Sequence, residues 1–399
     1  MASTAVHPAA TFPASSSSED PAKTPLSPTS TPPVTAATFI QVSIAQPASP
    51  QLEPEPEHES DQTMGDEEQS EDDGYESAES GVATESVWTS IRDYVYENGR
   101  RYHRYSEGSY ILPNDEMEME RLELVHHQNL LLLRGSLCIT PIEDVPMKVL
   151  DCGTGTGIWA LDFAESHPKA DVVGVDLSPI QPAWVWPNVR FEVDDIEKLW
   201  TYPENHFDFI YSRHLGQSIK DWKNYLQQMY THSAPDGRIE LIEHAMYLIS
   251  EDGTYNNSCD LAQYINLFGE ATTAAGMRSV LPEDIIKAAE EAGFVEVEKF
   301  TVKVPWGAWP KHPEMKSVGE TMTAVLSTGG FEAFALQIMT RHLGMHPDKV
   351  RQLGQAALKD VVSRKVHSYQ EQWYIIGRKP RPEELDVEVE IEVFGNDAA

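Results

Sequence analysis

Residues 148–157 read Lys-Val-Leu-Asp-Cys-Gly-Thr-Gly-Thr-Gly, an apolar run entering three alternating glycines with Asp151 just ahead of them. Glycines let a ligand come close to backbone, because no Cβ stands in the way. The acid says which ligand. A carboxylate at the entrance gains nothing from a pyrophosphate but attracts a cation. That favours S-adenosylmethionine, with its sulfonium and α-amino group, over a dinucleotide. The dinucleotide fingerprint needs G-x-G-x-x-G. Here the glycines are Gly153, Gly155 and Gly157, and the next residue is Ile158. A P-loop fails as well, since no Lys-Ser or Lys-Thr follows.

Two more acidic positions end apolar runs. Asp176 closes Asp171-Val-Val-Gly-Val-Asp176, and Asp194 and Asp195 follow Val189–Val193. In a doubly wound sheet such strand ends line one crevice. Asp176, with Leu177 beside it, is placed to accept bonds from ribose hydroxyls. Asp195 and the Ile196 backbone are placed for the adenine amine. Asp151, Gly153, Gly155 and Gly157 take the charged methionine end.

Methyl transfer to an acceptor is an in-line displacement, so much of the work is positioning. An oxygen or nitrogen acceptor also calls for a base. After the fourth expected strand the chain reads Tyr211-Ser-Arg-His-Leu-Gly216. His214 is either a general base or a histidine packed at the sheet edge. Arg213 binds the cofactor, binds a substrate anion, or is simply solvated. Glu243 and His244 follow the fifth strand. Glu243 either takes a proton or holds a substrate amine, or it serves the structure. Trp184, Trp186, Trp306 and Trp309 either line an apolar substrate pocket or belong to core and rim.

The elements that must position these groups alternate. Strands are expected to end at Val149–Leu150 and to cover 171–176, 189–193, 207–211, 238–243, 294–304 and 370–377, with helices over 157–167, 219–232 and 282–292. Such alternation means a parallel sheet covered on both faces. Apolar spacing predicts two helices ahead of it, 86–100 and 115–134, as an N-terminal cover. Residues 244–280 and 305–346 are too long for ordinary connections. They leave the strands at the ligand edge, so they are expected to act as lids, with a helix over 259–276.

The net charge of −34 sits mostly at the ends: −14 over 1–84 and −6 over 381–399, leaving −14 for 85–380. Residues 1–84, Ser/Thr/Pro-rich and then acidic, are too polar to bury a core and are read as disordered. Residues 385–394 alternate apolar and acidic residues, which suits an edge strand or an acidic tail. No basic footprint for nucleic acid exists, and the acidic tails suit protein partners instead. There is no secretory signal and no membrane-spanning run. The cysteines Cys138, Cys152 and Cys259 lack metal-ligand spacing. A cytoplasmic or nuclear protein without a metal is expected.

The glycine motif 151–160, Gly174-Val-Asp-Leu-Ser-Pro-Ile-Gln-Pro182, Glu97-Asn-Gly-Arg-Arg-Tyr-His103, Tyr110-Ile-Leu-Pro-Asn-Asp-Glu116 and Trp373-Tyr-Ile-Ile-Gly-Arg-Lys-Pro380 together resemble the LaeA-like fungal methyltransferases. The resemblance spans about residues 85–380 and leaves out the tails. It implies an α/β, doubly wound, Rossmann-like sheet of seven strands in the order 3-2-1-4-5-7-6, strand seven antiparallel. It implies S-adenosylmethionine binding, with Tyr102 and Tyr105 close to the cofactor. It also leaves two functions open: methylation of a small-molecule acceptor in fungal secondary metabolism, or regulation of that metabolism through protein partners or protein methylation.

Overall fold

The computed structural model describes residues 94–103 and 112–385. The 1–84 tail, residues 86–93 of the first expected helix, Tyr105, Tyr110 and residues 386–399 lie outside them.

From Tyr94 onward the N-terminal cover is a hairpin, where the expected helix would have continued to Arg100. Strand β1 (Tyr94–Glu97) pairs antiparallel with β2 (Arg100–His103). The turn residues Asn98 (φ 53) and Gly99 (φ 83) are both left-handed. That is the twist a two-residue hairpin needs, and Asn-Gly supplies it at little cost. Over 94–100, the described part of the first expected helix, this turn signal outranks the helical spacing. The hairpin is tied to the next element through an ion pair: the Arg100 guanidinium meets Asp115 at 2.6 Å. Asp115 in turn caps helix α1 (Glu116–Leu132), accepting from the Glu118 amide at 3.0 Å. An N-cap carboxylate satisfies one of the free amides at a helix start.

The sheet is built from β3 (Met147–Cys152), β4 (Ala170–Asp176), β5 (Val189–Val193), β6 (Phe207–Arg213), β7 (Ser233–His244), β8 (Val295–Pro305) and β9 (Tyr369–Arg378). Its spatial order is β5-β4-β3-β6-β7-β9-β8. β3 to β7 run parallel, and β9 is antiparallel to both its neighbours. In sequence terms that is the expected 3-2-1-4-5-7-6. Helix α2 (Ile158–Ser166) covers one face, and α3 (Trp222–His232) and α5 (Pro282–Ala292) the other. Alternate residues of β3 serve opposite faces: Val149 packs with Trp159 and Phe163 of α2, Leu150 with Leu226 and Ile285. Burial on both sides is why these strands read as unbroken apolar runs.

Both insertions are helical. The first carries α4 (Asp260–Ala274) and the second α6 (Pro313–Val325) and α7 (Phe331–Leu343), joined by a π-helical turn, Leu326–Gly330. Helix α8 (Pro347–Ser363), which the sequence pattern does not announce, packs with them. Leu261, Phe268, Met322, Phe331 and Leu353 belong to their shared core, which also takes in Val125 of α1. Residues 381–385, placed with the tail on charge, instead include a short helix α9 (Pro382–Leu385) fastened to the body. Arg378 meets Glu384 at 2.8 Å, and Arg381 meets Asp236 at 2.8 Å. Among the described residues no helix is long and apolar enough to cross a membrane.

Candidate active site

A cavity of about 220 Å³ runs along the carboxyl ends of the parallel strands and on beneath the lid helices. Its two halves differ in construction.

The crevice half is held by backbone amides on acids. Asp176 Oδ2 accepts from Gly155 N at 2.9 Å and its Oδ1 from Ser178 N at 2.9 Å. The strand-two acid thus fixes the glycine loop. Burial raises its pKa, against the pull of those two amides. Each carboxylate oxygen keeps a second lone pair for a ligand hydroxyl. Gln181, which sequence reasoning misses, latches the loop from outside, donating to the Gly155 carbonyl at 2.6 Å and the Ser178 carbonyl at 2.9 Å. Gly153, Gly155, Leu177, Asp195 and Ile196 all line the cavity. Asp195 Oδ1 accepts from Glu197 N at 3.1 Å, which holds the turn after β5.

Three members of the expected set lie off the cavity lining. Asp151 is buried and accepts from Thr154 Oγ1 at 2.6 Å. It props the loop from beneath, and Thr154 is the side chain that reaches the cavity wall. Burial pushes the Asp151 carboxyl up to about 6, opposed by the Thr154 bond and by Arg213. Gly157 is the N-cap of α2 at φ +81, and a Cβ there would lie 2.3 Å from the Phe191 ring. Its hydrogen atom makes room for core packing rather than for a ligand. Tyr102 is also buried away from the cavity lining, within the hairpin.

Arg213 lines the crevice near the glycine loop. Its polar contacts are neutral: His126 Nδ1 at 3.4 Å and Tyr211 Oη at 3.5 Å. Among the described residues it makes no ion pair with a carboxylate. Thr156 Oγ1, on the glycine loop, is buried without a hydrogen-bond partner there. Along one cavity wall, a guanidinium with no carboxylate partner among the described residues, an orphaned hydroxyl and open loop backbone suit a zwitterionic methionine end. A carboxylate with spare lone pairs at the end of β4 suits a ribose. The crevice therefore fits S-adenosylmethionine.

The second half is a chamber walled by apolar side chains, among them Leu248, Tyr264, Phe268, Val304, Trp306, Met322 and Phe334. All but Val304, on β8, come from the two insertions. Of the expected tryptophans only Trp306 lines it. Trp184 and Trp186 are exposed, 94% and 46%, because the loop after β4 turns outward to solvent. Trp309 donates to the Ser368 carbonyl at 3.0 Å.

Polar groups gather where the halves meet. Glu243 is buried, and both its oxygens are taken: Oε1 by Leu215 N at 2.7 Å and Oε2 by Gly216 N at 3.0 Å. Burial pushes it up to about 8 against those two bonds. It is a strut for the loop after β6, with little left to offer a substrate proton. His214 sits on that loop with a left-handed backbone (φ 58), and its amide donates to Ile242 O at 2.8 Å. Burial, and then the neighbouring His244 and Arg213, hold its imidazole well below the usual histidine range. It is therefore neutral near pH 7, as a base must be. Arg121 and Gln128 of α1 and Gln370 and Gln372 of β9 complete this belt. Sequence patterning misses all four, because a polar residue on an amphipathic element looks like surface.

Residues 124–299 match a methyltransferase-domain profile. Over 296 residues the chain is 38% identical to methyltransferase pytC of Aspergillus terreus, spanning 74% of this chain and 91% of that protein. It is 33% identical over 292 residues to the secondary metabolism regulator LAE1 of Cochliobolus heterostrophus, spanning 71% and 94%. The chain belongs to the LaeA-like methyltransferases. Among solved structures, Haemonchus contortus phosphoethanolamine N-methyltransferase 2 is 18% identical, with a TM-score of 0.41, over 64% of this chain and 52% of that one. The methyl donor of a LaeA-like methyltransferase is S-adenosylmethionine. The LaeA-like sequence motifs have physical meanings in the fold. Glu97–His103 is the hairpin with its Asn-Gly turn, and Asn114–Glu116 is the capped start of α1.

Proposed function

We propose that this protein methylates a small-molecule acceptor, in secondary metabolism, at the junction of the crevice and the chamber. The observation that carries the reading is the continuity of the cavity: it runs from Asp176 and Gly155 to Phe268, Trp306 and Phe334 beneath both insertions. An apolar chamber with few polar groups is how small-molecule sites are built. A regulator acting on protein side chains would be served by a shallower site with an open rim.

The cofactor supplies an electrophilic methyl on a sulfonium, so the protein need not activate the donor. Asp176 binds the ribose hydroxyls. Asp195 and the Ile196 backbone bind the adenine edge. Arg213 pairs with the methionine carboxylate, and Gly153, Thr154, Gly155 and Thr156 offer the loop's backbone and hydroxyls. Asp151 acts through Thr154, keeping the loop at its height. Glu243 positions the His214 loop. The lid side chains exclude water and align the acceptor with the methyl group, which is where most of the rate comes from in such a displacement.

The test is comparative metabolite profiling with methyl-labelled methionine in strains with and without the gene. A single labelled compound missing from the deletion strain, and restored by a chain lacking residues 1–84, is the expected result. Restoration only by the full chain, with no labelled compound affected, would favour the regulatory reading.

A further inference from the structure

Two histidines of the polar belt, His214 and His244, face each other edge to face, with ring centroids 4.9 Å apart and planes at 72°. Both line the cavity. Each is held by a glutamine of β9, and the two glutamines settle where the ring protons lie.

The chain of bonds begins at Asn129 on α1. Its Nδ2 donates to the Val125 carbonyl at 2.9 Å, so its Oδ1 is the acceptor. That oxygen accepts from Gln372 Nε2 at 2.9 Å, and the same Nε2 donates to Tyr374 Oη at 2.8 Å. The amide of Gln372 is thereby oriented, and its Oε1 is turned to His214 Nε2 at 3.4 Å. Two lone pairs would repel there, so His214 carries its proton on Nε2 and its Nδ1 is bare. On the other side, the Trp306 indole, which can only donate, gives its Nε1–H to Gln370 Oε1 at 3.3 Å. Gln370 Nε2 then faces His244 Nδ1 at 2.8 Å and also donates to the Ala245 carbonyl. His244 Nδ1 also lies 3.3 Å from that carbonyl, but the carbonyl already takes one Gln370 hydrogen and the closer Gln370 amide would clash with an Nδ1–H, so Nδ1 accepts and the ring proton is on Nε2. Such assignments come from the whole network rather than from either ring alone.

The tautomers are the same, but opposite atoms are left over. Among the described residues neither His214 Nδ1 nor His244 Nε2 has a hydrogen-bond partner. One ring leaves a lone pair for a ligand and its neighbour an N–H.

We infer that the acceptor atom is a hydroxyl oxygen with a second, accepting oxygen beside it, as in an enol or phenol next to a carbonyl: His214 takes the proton and His244 donates to the neighbour. The inference rests on the small-molecule reading above and narrows it to an O-methyltransferase. In the step, the acceptor O–H gives its proton to His214 Nδ1 as the oxygen bonds to the methyl carbon. The carbon–sulfur bond breaks with its electron pair on sulfur, leaving a neutral thioether. The His214 imidazolium then loses the proton to solvent. A simple amine or thiol brings no second oxygen for the His244 N–H. Gln370 and Gln372 are positioning residues.

The test has two readouts. The full chain, ¹⁵N-labelled at histidine and loaded with S-adenosylhomocysteine, is probed by long-range ¹H–¹⁵N correlation. Both rings are expected neutral with the proton on Nε2. Gln370→Glu should move the His244 proton to Nδ1 and leave His214 alone. A wild-type Nδ1–H tautomer at either ring overturns the inference. The second readout is the labelled product of the strain comparison. An O-methyl group beside a second oxygen supports the inference, as does a drop of about 100-fold in that product for His214→Asn with S-adenosylhomocysteine affinity kept. A labelled N-, C- or S-methyl product overturns it while the small-molecule reading stands. No labelled small molecule at all removes both, whatever the tautomers.

Discussion

The crevice and the chamber share one cavity but are put together by different rules. In the crevice, each acid is bonded by groups within a few residues or across one strand: Asp176 by Gly155 and Ser178, Asp195 by Glu197, Asp151 by Thr154. The geometry is local, fixed by strand ends and tight turns. In the chamber, neighbours come from far apart. Tyr264 of α4 bonds the Phe331 carbonyl of α7 at 2.7 Å, and Asn129 of α1 holds Gln372 of β9. On the proposed reading, a common donor is gripped by a few residues of short range, while the acceptor is shaped by helices that can change without disturbing that grip.

The hardest blow to the crevice should come from Gly157→Val. The position combines φ +81 with a Cβ 2.3 Å from Phe191. A β-branched residue in that backbone region costs about 1–3 kcal/mol, and forcing the Phe191 ring aside costs about 1–3 kcal/mol more. Chemical denaturation should show a loss of about 3 kcal/mol or more, with the glycine loop no longer able to hold S-adenosylhomocysteine. Wild-type stability in this variant would mean that the loop is softer than its contacts say.

Next is Asp176→Ala. It removes the proposed ribose acceptor and also the anchor for Gly155 N and Ser178 N. Hydrogen bonds to a charged group are worth about 1.5–3 kcal/mol, so the dissociation constant for S-adenosylhomocysteine should rise by roughly 10- to 100-fold by titration calorimetry. Unchanged affinity would take the ribose role from Asp176 and blur the contrast between the two halves.

How much of this is legible without the structure divides along the same line. The seven strands and the acids at their ends are legible because a parallel strand buried on both faces is a continuous apolar run, and an acid at its end is conspicuous. The glycine loop is legible as a loop. Its inner logic is not, since nothing in the string Asp151–Gly157 says that Asp151 lies under Thr154 or that Gly157 makes room for Phe191. At the polar belt the signal fades further. Gln370 and Gln372 alternate along β9 as any half-solvated strand would, and only the fold brings them within hydrogen-bond reach of His244 and His214. Helix α8 has no such marker, and the N-terminal hairpin reads as a helix. From Tyr94 the helical pattern runs into an Asn-Gly turn, and there the turn wins.

The smallest effect is expected in the chamber, and it tests the separation most sharply. Tyr264→Phe keeps the ring in place against Phe331, where the two meet edge to face at 4.6 Å, and deletes only the hydroxyl. The lost bond to the Phe331 carbonyl is neutral and buried, so stability should fall by about 1 kcal/mol. None of the crevice bonds passes through Tyr264, which sits on the lid helix α4 while the crevice acids sit at strand ends. Titration with S-adenosylhomocysteine should therefore give the wild-type affinity even as the denaturation midpoint drops. If both fall together, the lid helices and the glycine loop open as one cooperative unit. The grip on the donor would then depend on the chamber, and a change of acceptor could not be made without a cost in donor binding.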